Sequence, residues 1–226
     1  MEPTEIRLDM NKKDKKLLGI KAAEIFEKEY TGAVCSLDYS EGDAFQLLIA
    51  TRLSAQCTDA RVNMVTPKLF ERFPDAESMA KADVSDIEEL IKTCGLYKTK
   101  AADLKGIGVM LCEQYGGKVP DTIEELIKLP GVGRKTANLV VGDIYGKPAI
   151  VTDTHFIRLC NRIGFVKTTD PLKVEREMRE ILPPDKSNGF CHRAVLHGRA
   201  ICTARKAMCE SCCFNEFCEK HLDYKK

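Results

Sequence analysis

The chain has 226 residues, 44% of them hydrophobic, and a formal net charge of +1. This length and composition predict a folded globular protein with a real core, built as one large domain or two small ones. The small net charge excludes a protein that is strongly basic overall, so any binding of phosphate must depend on local geometry and a local basic patch.

The N-terminal stretch MEPTEIRLDMNKKDKK is charged and lacks the apolar segment of a signal peptide. No apolar run approaches the length needed to cross a membrane. We therefore expect a soluble, cytoplasmic protein with no membrane partner.

Helical periodicity runs through the first half of the chain. Leu17, Ile20, Ala23 and Phe26 predict a helix over residues 11–30. Asp43 is placed to cap a second helix that carries an apolar face from residue 45 to residue 53. The same spacing predicts further helices over 58–73, with Pro67 as a kink or break, over 85–93, and over 100–115, where Gly116 and Gly117 follow.

The second half is also helical. Asp121 and Glu124 resemble a capping box that opens a short helix, which ends at Pro130, and a new helix starts near Gly133 and reaches Gly146. Asp170 followed by Pro171 opens another helix, and residues 188–202 form the last long one. The best strand candidate, KPAIVTD, is short. The pattern predicts an all-α fold with short connections.

The stretch LPGVGRKTA, residues 129–137, places two glycines directly before a helix. Glycine permits positive φ, so several main-chain N–H groups can point the same way at the helix N-terminus and bind one phosphate. Arg134 and Lys135 add local positive charge. From the residues alone, a plain corner between two helices with permissive glycines remains open as well.

Lys135 and Asp153 are candidate catalytic residues. The helix N-terminus and the adjacent Arg134 both disfavour a protonated lysine, and a lysine with a lowered pKa can form a Schiff base with a sugar carbon. An ordinary phosphate-binding lysine is an equally good interpretation of the residues alone. Asp153 is placed to cap the helix that follows it, and a carboxylate there can also stabilise positive charge.

Eleven cysteines are many for a chain in which we expect no disulfides. Five are scattered and are interpreted as small buried side chains, whereas Cys202, Cys209, Cys212 and Cys218 crowd the end of the chain. Four thiolates in one loop suit zinc or an iron–sulfur cluster. Cys213 competes with Cys212 as the third ligand, and the nearby His197 is interpreted as a helix-packing residue.

Several segments, in this order, resemble the motifs of the endonuclease III family of helix-hairpin-helix DNA glycosylases: LSAQCTD, GLYKTKA, LPGVGRKTANLV, VTDTHFIRLCNR and LHGRAIC. The resemblance covers residues 44–218. It implies two all-α lobes with a DNA-binding cleft between them. One is a helical barrel over 36–146 that ends in the hairpin, 121–146; the other joins 1–35 to 147–226 and holds the cluster loop, 202–218.

The resemblance also implies the activity. Members of the endonuclease III family remove oxidised pyrimidines from duplex DNA and then nick the strand by β-elimination. Lys135 matches the family's catalytic lysine, and Asp153 matches its catalytic aspartate. The resemblance implies that these two side chains face each other across the cleft. The implied partner is double-stranded DNA containing damaged pyrimidines or abasic sites. We expect the protein to be a monomer and, in a prokaryote, to be associated with the nucleoid.

DNA-binding roles follow from the same matches. Those residues are Gln56, Leu96, Gly131, Val132, Gly133, Arg134, His155, Arg205 and Lys206. The first two match residues that fill the gap left by an extruded base. Alone, Gln56 is interpreted as a surface polar residue, Leu96 as a buried loop residue and His155 as a helix residue with no stated role. The match of His155 in the family lies near the site of the damaged base.

The cysteine spacing resembles a [4Fe-4S] cluster loop, with Cys202, Cys209, Cys212 and Cys218 as ligands. The implied role is structural, since the loop offers Arg205 and Lys206 to phosphate. Met208 departs from the family pattern, which has a basic residue there, and this removes about one phosphate contact.

Three alternatives are disfavoured. Adenine-removing mismatch enzymes carry a glutamate before the gap-filling glutamine, whereas Thr51 and Arg52 stand there, and we expect no extra C-terminal domain after Cys218. Mismatch thymine or uracil glycosylases usually lack Lys135. A non-catalytic DNA-binding or redox-sensing protein needs neither Lys135 nor Asp153. A zinc-bearing structural module is a further alternative, which an iron absorbance band would exclude.

Overall fold

The computed structural model describes residues 11–224, with side chains described as far as His221. Residues 1–10, which carry part of the signal-peptide argument, lie outside the described residues. The helices are α1 (Lys12–Glu29), α2 (Ala44–Ser54), α3 (Asp59–Arg72), α4 (Ala76–Lys81), α5 (Val84–Ile91), α6 (Tyr97–Tyr115), α7 (Ile123–Leu126), α8 (Arg134–Asp143), α9 (Thr154–Ile163), α10 (Pro171–Ile181), α11 (Ser187–Ala200) and α12 (Glu219–Tyr224).

The all-α prediction is confirmed. Within residues 11–224, the only β-type pairing is an isolated antiparallel bridge between Cys202 and Ala207. The strand candidate over 147–153 forms no strand. No helix in the described part of the chain is long and apolar enough to cross a membrane.

Three predicted N-caps are confirmed by hydrogen bonds. The Asp43 carboxylate accepts from the N–H of Gln46 at 2.9 Å, and Asp170 accepts from the N–H of Lys173 at 2.8 Å. Asp153 caps α9 in the same way. A side-chain acceptor at this position satisfies a helix N–H that has no partner within the helix, so these aspartates fix where the three helices begin.

Three details differ from the sequence prediction. Thr122, and not Asp121, caps α7, because its side chain is the one placed to accept from the N–H of Glu125. Pro67 does not break α3, since burial of Val62 and Leu69 offsets the hydrogen bond that proline cannot donate. The short helix α4, opened by a capping box, was not predicted because its six residues are too few to show a period.

The described chain divides into two compact units. One comprises Cys35–Gly146 and contains α2 to α8, around a core that includes Leu47, Ile49 and Leu104. The other joins the described residues before that segment to those after it. Its core is aromatic: the ring of Phe26 lies 4.9 Å from Phe190 and 4.5 Å from Phe214 between centroids.

Candidate active site and metal centre

A tight turn joins α7 to α8. The N–H of Val132 donates to the carbonyl of Leu129 at 3.1 Å, and Gly131 between them has φ +66°. Proline second and glycine with positive φ third is the residue order of a type II turn. Gly133 follows as the N-cap of α8 and brings no capping side chain. The turn therefore delivers the chain directly into a helix N-terminus, the setting in which main-chain N–H groups bind anions.

Lys135 lies in the first turn of α8, and its side chain is exposed, as is that of Arg134. The opposite face of the helix is buried through Ala137, Val140 and Val141. The helix is therefore held rigidly by its apolar face, while both cations lie in solvent next to the turn.

Gln56 and Leu96 have an unusual backbone. With φ of 52° and 58°, they are the only non-glycine residues with positive φ in the described part of the chain. Leu96 is 60% exposed, so its interpretation as a buried loop residue is wrong. The two loops adjoin, because a Cβ added at Gly95 would lie 3.3 Å from the carbonyl oxygen of Gln56. Strained, exposed side chains in adjacent loops are typical of a functional site.

Asp153 and His155 lie at the start of α9. The carboxylate of Asp153 is half-buried, and its Oδ1 accepts from the N–H of Phe156 at 2.7 Å. His155 Nδ1 accepts from the guanidinium of Arg158 at 3.1 Å, and the ring packs against Gly198, where a Cβ would lie 2.7 Å from Nδ1. Both side chains are thus held in defined positions.

Four cysteines surround one cavity near the C-terminal end. Cys202, Cys209, Cys212 and Cys218 all line it, and Cys213 is not among its lining residues. Among the described residues, a different set of three side chains has its potential ligand atoms within 4.8 Å of one another: His197, Cys212 and Cys213. The four lining thiols are therefore spread around a cavity rather than gathered at the spacing of a single ion.

Two arginines of α9, which the sequence analysis missed, hold the start of this loop. Arg158 donates to the carbonyl of Cys202 at 3.0 Å. Arg162 donates to the carbonyl of Thr203 at 2.7 Å and to the sulfur of Cys202 at 3.2 Å, and its own carbonyl accepts from the thiol of Cys218 at 3.1 Å. The sequence shows that the two arginines are four residues apart and therefore share one face of the helix. It does not show what that face contacts.

His197 does more than pack α11. It is fully buried, its Nε2 lies 3.3 Å from the sulfur of Cys212, and its Nδ1 lies 2.8 Å from the hydroxyl of Tyr30. Hydrogen bonding from the Cys213 thiol, and then from His197, lowers the pKa of Cys212 to about 4. Both contacts favour the thiolate at Cys212, which is the form that binds iron or zinc.

The loop between Cys202 and Cys209 has a compact start. Thr203 Oγ1 donates to the carbonyl of Lys206 at 2.6 Å and accepts from its N–H at 3.2 Å. Arg205 and Lys206 are exposed at the tip, and Met208 is 45% exposed. The loop therefore presents two cations to solvent.

Comparison with known proteins shows which family the chain resembles. A family model described as HhH-GPD superfamily base excision DNA repair protein matches residues 49–184. The chain is 47% identical over 195 residues to Endonuclease III of Synechocystis sp., covering 86% of this chain and 88% of that protein. It is 41% identical over 175 residues to Endonuclease III of Escherichia coli, covering 77% and 83%.

A solved structure is similar over nearly the whole chain. It is described as a trapped Endonuclease III–DNA covalent intermediate, in an estranged-adenine complex, and it matches with a TM-score of 0.85 at 36% identity over 96% of this chain and 100% of that one. The chain belongs to the endonuclease III family, within the HhH-GPD superfamily of base excision repair proteins. It is a bifunctional DNA glycosylase and AP lyase of base excision repair.

Proposed function

We propose that Lys135 is the nucleophile of a two-stage reaction on oxidised pyrimidines in duplex DNA. Its Nζ lone pair forms a bond to C1′ of the damaged nucleotide while the bond from C1′ to the base breaks, and the base leaves with that electron pair and gains a proton. The C1′–O4′ bond then breaks, and the nitrogen pair forms an imine to C1′. Loss of a C2′ proton makes a C2′–C3′ double bond and expels the 3′ phosphate.

The placement of Lys135 is the observation that carries this proposal. Its exposed amine lies on the first turn of α8, directly after the glycine turn. Main-chain N–H groups of Gly131 and Gly133 and the cation of Arg134 bind a DNA phosphate, and the same helix end then brings the amine to the neighbouring sugar. By contrast Lys100, which is fully buried, cannot reach a sugar.

Asp153 is the carboxylate of the reaction. It stabilises positive charge that develops on the sugar and assists the loss of the lysine proton. Its capping hydrogen bond to Phe156 orients the carboxylate on α9. The cap and the catalytic role are therefore compatible, because the cap uses Oδ1.

Base extrusion and phosphate contacts complete the site. Gln56 and Leu96 fill the gap that the extruded base leaves, and their exposed, strained loops support this role. His155 lies near the damaged base. Arg205 and Lys206 bind phosphate groups of the DNA. The protein acts as a monomer.

The resident cofactor is a [4Fe-4S] cluster held by Cys202, Cys209, Cys212 and Cys218. The residues fit this group, because all four line one cavity and are not gathered at single-ion spacing. When bound, it supplies four iron–thiolate bonds that cross-link the loop. Arg162 and His197 orient these ligands through the sulfurs of Cys202 and Cys212.

Borohydride trapping tests the proposed chemistry. Native protein and a Lys135→Ala variant are each incubated with a duplex carrying one thymine glycol or one abasic site. Lys128→Ala is the matched control, because Lys128 is an exposed lysine of the same hairpin, paired with Glu125. We expect a covalent adduct with native and control protein and none with Lys135→Ala. An adduct in all three would assign the imine to another amine, and base release without an adduct would indicate a monofunctional glycosylase.

A further inference from the structure

We propose that Arg52 and Asp103 are positioning residues that hold the turn 129–133 in place and neutralise the charge beneath it. The inference rests on the proposed function, because it concerns how that turn is presented to a DNA phosphate. Neither residue touches the reacting atoms in this proposal. Both act through the main chain of the turn.

The two side chains form an ion pair between α2 and α6. Arg52 donates to Asp103 Oδ2 from Nε at 2.9 Å and also from Nη2. The side chains are only 11% and 20% exposed. Placing two charges away from water is costly, so this pair differs from the exposed ion pairs elsewhere in the same unit, which contribute little.

The turn rests directly on this pair. A Cβ added at Gly131 would overlap Arg52 Nε and Asp103 Oδ2 and would lie 2.8 Å from Asp103 Cγ. The preceding Pro130 packs on α6 at Gly106, where a Cβ would lie 3.0 Å from the proline Cγ. Asp103 and Gly106 are three residues apart and share one face of α6. Two successive turn residues are therefore seated on one helix face.

The pair also connects the turn to the gap-filling loops. Arg52 lies one helical turn before Gln56 on α2 and its C-terminal loop. Asp103 lies on the helix for which Leu96 is the N-cap. The ion pair thus lies where the turn 129–133 meets both helices that lead to Gln56 and Leu96.

The charges predict an asymmetry that a purely structural role would not give. Asp103 places a carboxylate directly below N–H groups that bind an anion, and Arg52 cancels it. Without Arg52, the carboxylate repels the phosphate. Without Asp103, the remaining cation does not. Loss of both returns the local charge to that of the native pair.

The experiment is a double-mutant cycle on DNA affinity. Arg52→Met, Asp103→Asn and the double variant are compared with native protein by fluorescence anisotropy, using a duplex with one tetrahydrofuran abasic-site analogue, alongside Tm. Arg72→Met is the matched control, because Arg72 and Asp86 form an Arg–Asp pair in the same unit with side chains 67% and 50% exposed. We expect Arg52→Met to raise Kd about tenfold at low salt. Asp103→Asn, the double variant and the control should stay within about threefold.

The outcomes separate the possibilities. Equal loss of affinity in Arg52→Met and the double variant, or native affinity in Arg52→Met, would overturn charge neutralisation. Native Tm in all three variants of the pair would overturn its role in holding the turn. Borohydride trapping at saturating abasic-site DNA reads out the proposed function separately. It should give an adduct in every variant, since Lys135 is present. Absence of an adduct in native protein would refute the lysine chemistry, while the affinity cycle would still decide the role of the ion pair.

Discussion

The buried ammonium of Lys100 donates a hydrogen bond of 2.8 Å to the main-chain carbonyl of Leu53. This bond joins the first turn of α6 to the last turn of α2. Leu53 precedes the loop of Gln56, and Lys100 follows the loop of Leu96. The hydrogen bond is therefore the fixed support from which both strained loops extend.

Replacing Lys100 by methionine should destabilise the protein. The substitution removes the side-chain donor to the Leu53 carbonyl, and an unsatisfied buried acceptor costs about 1–3 kcal/mol. Urea denaturation would measure the free energy of unfolding. Lys98→Met is the control, because Lys98 is exposed on the same helix. Equal stability of the two variants would refute the supporting role.

Stability should also depend on Lys100 at alkaline pH. Desolvation lowers the pKa of Lys100 in the folded protein below its ordinary 10.5. Between that lowered pKa and 10.5, the unfolded chain binds more protons than the folded one, so the free energy of unfolding rises with pH. The stability gap between native protein and Lys100→Met should therefore widen as pH approaches 10.5. Parallel stability curves for the two proteins would contradict this.

The two glycines of the turn should respond differently to alanine. Gly131 has φ +66°, which costs a residue with a Cβ about 1–2 kcal/mol, and the added Cβ would also displace the Arg52–Asp103 pair. Gly133 has φ −93° and open space around its Cα. We expect thermal unfolding to show a lower Tm for Gly131→Ala, and Gly133→Ala to stay within about 0.5 kcal/mol of native. Similar losses in both variants would contradict the turn geometry.

Patterns local in sequence were the predictable part of this molecule. The all-α fold and the caps at Asp43, Asp153 and Asp170 follow from periodicity and from the side-chain acceptors that a helix start requires. Motifs in the expected order led to the family. The capping of α7 was predicted one residue too early, because Asp121 and Thr122 are both good capping residues and only the folded chain selects between them.

Contacts between distant segments could not be predicted in this way. The carbonyls of Cys202 and Thr203 accept from Arg158 and Arg162, which lie about forty residues earlier. The contact between His197 and Cys212 likewise depends on where α11 lies relative to the cysteine loop. Periodicity identifies which face of a helix is buried, but it does not identify the polar groups that this face meets.

Leu96→Gly should separate backbone strain from function. Leu96 has φ 58° and is 60% exposed, so glycine relieves the strained backbone, by about 1 kcal/mol, and loses little burial. We expect unchanged or higher Tm. The proposed gap-filling role predicts turnover on a lesion in duplex DNA reduced about tenfold or more, with cleavage of a single-stranded abasic site unchanged. An equal loss on both substrates would assign Leu96 a different role.

Cys212→Ala and Cys213→Ala form a matched pair for the metal centre. Cys212 lines the cavity shared with Cys202, Cys209 and Cys218, whereas Cys213 is not among its lining residues. Loss of one of four thiolates should leave purified Cys212→Ala with little iron and little visible absorbance. Cys213→Ala should keep native iron content, because the hydrogen bond that it removes from Cys212 supports the thiolate but is not a ligand bond.

Iron and acid-labile sulfide per protein chain, measured together with visible absorbance, would distinguish these outcomes. Zinc alone in the native protein would refute the iron–sulfur assignment whatever the variants show. Retention of iron in Cys212→Ala but not in Cys213→Ala would assign the third ligand to Cys213. That exchange would require the side chain of Cys213 to enter the cavity, because Cys213 is not among the residues that line it.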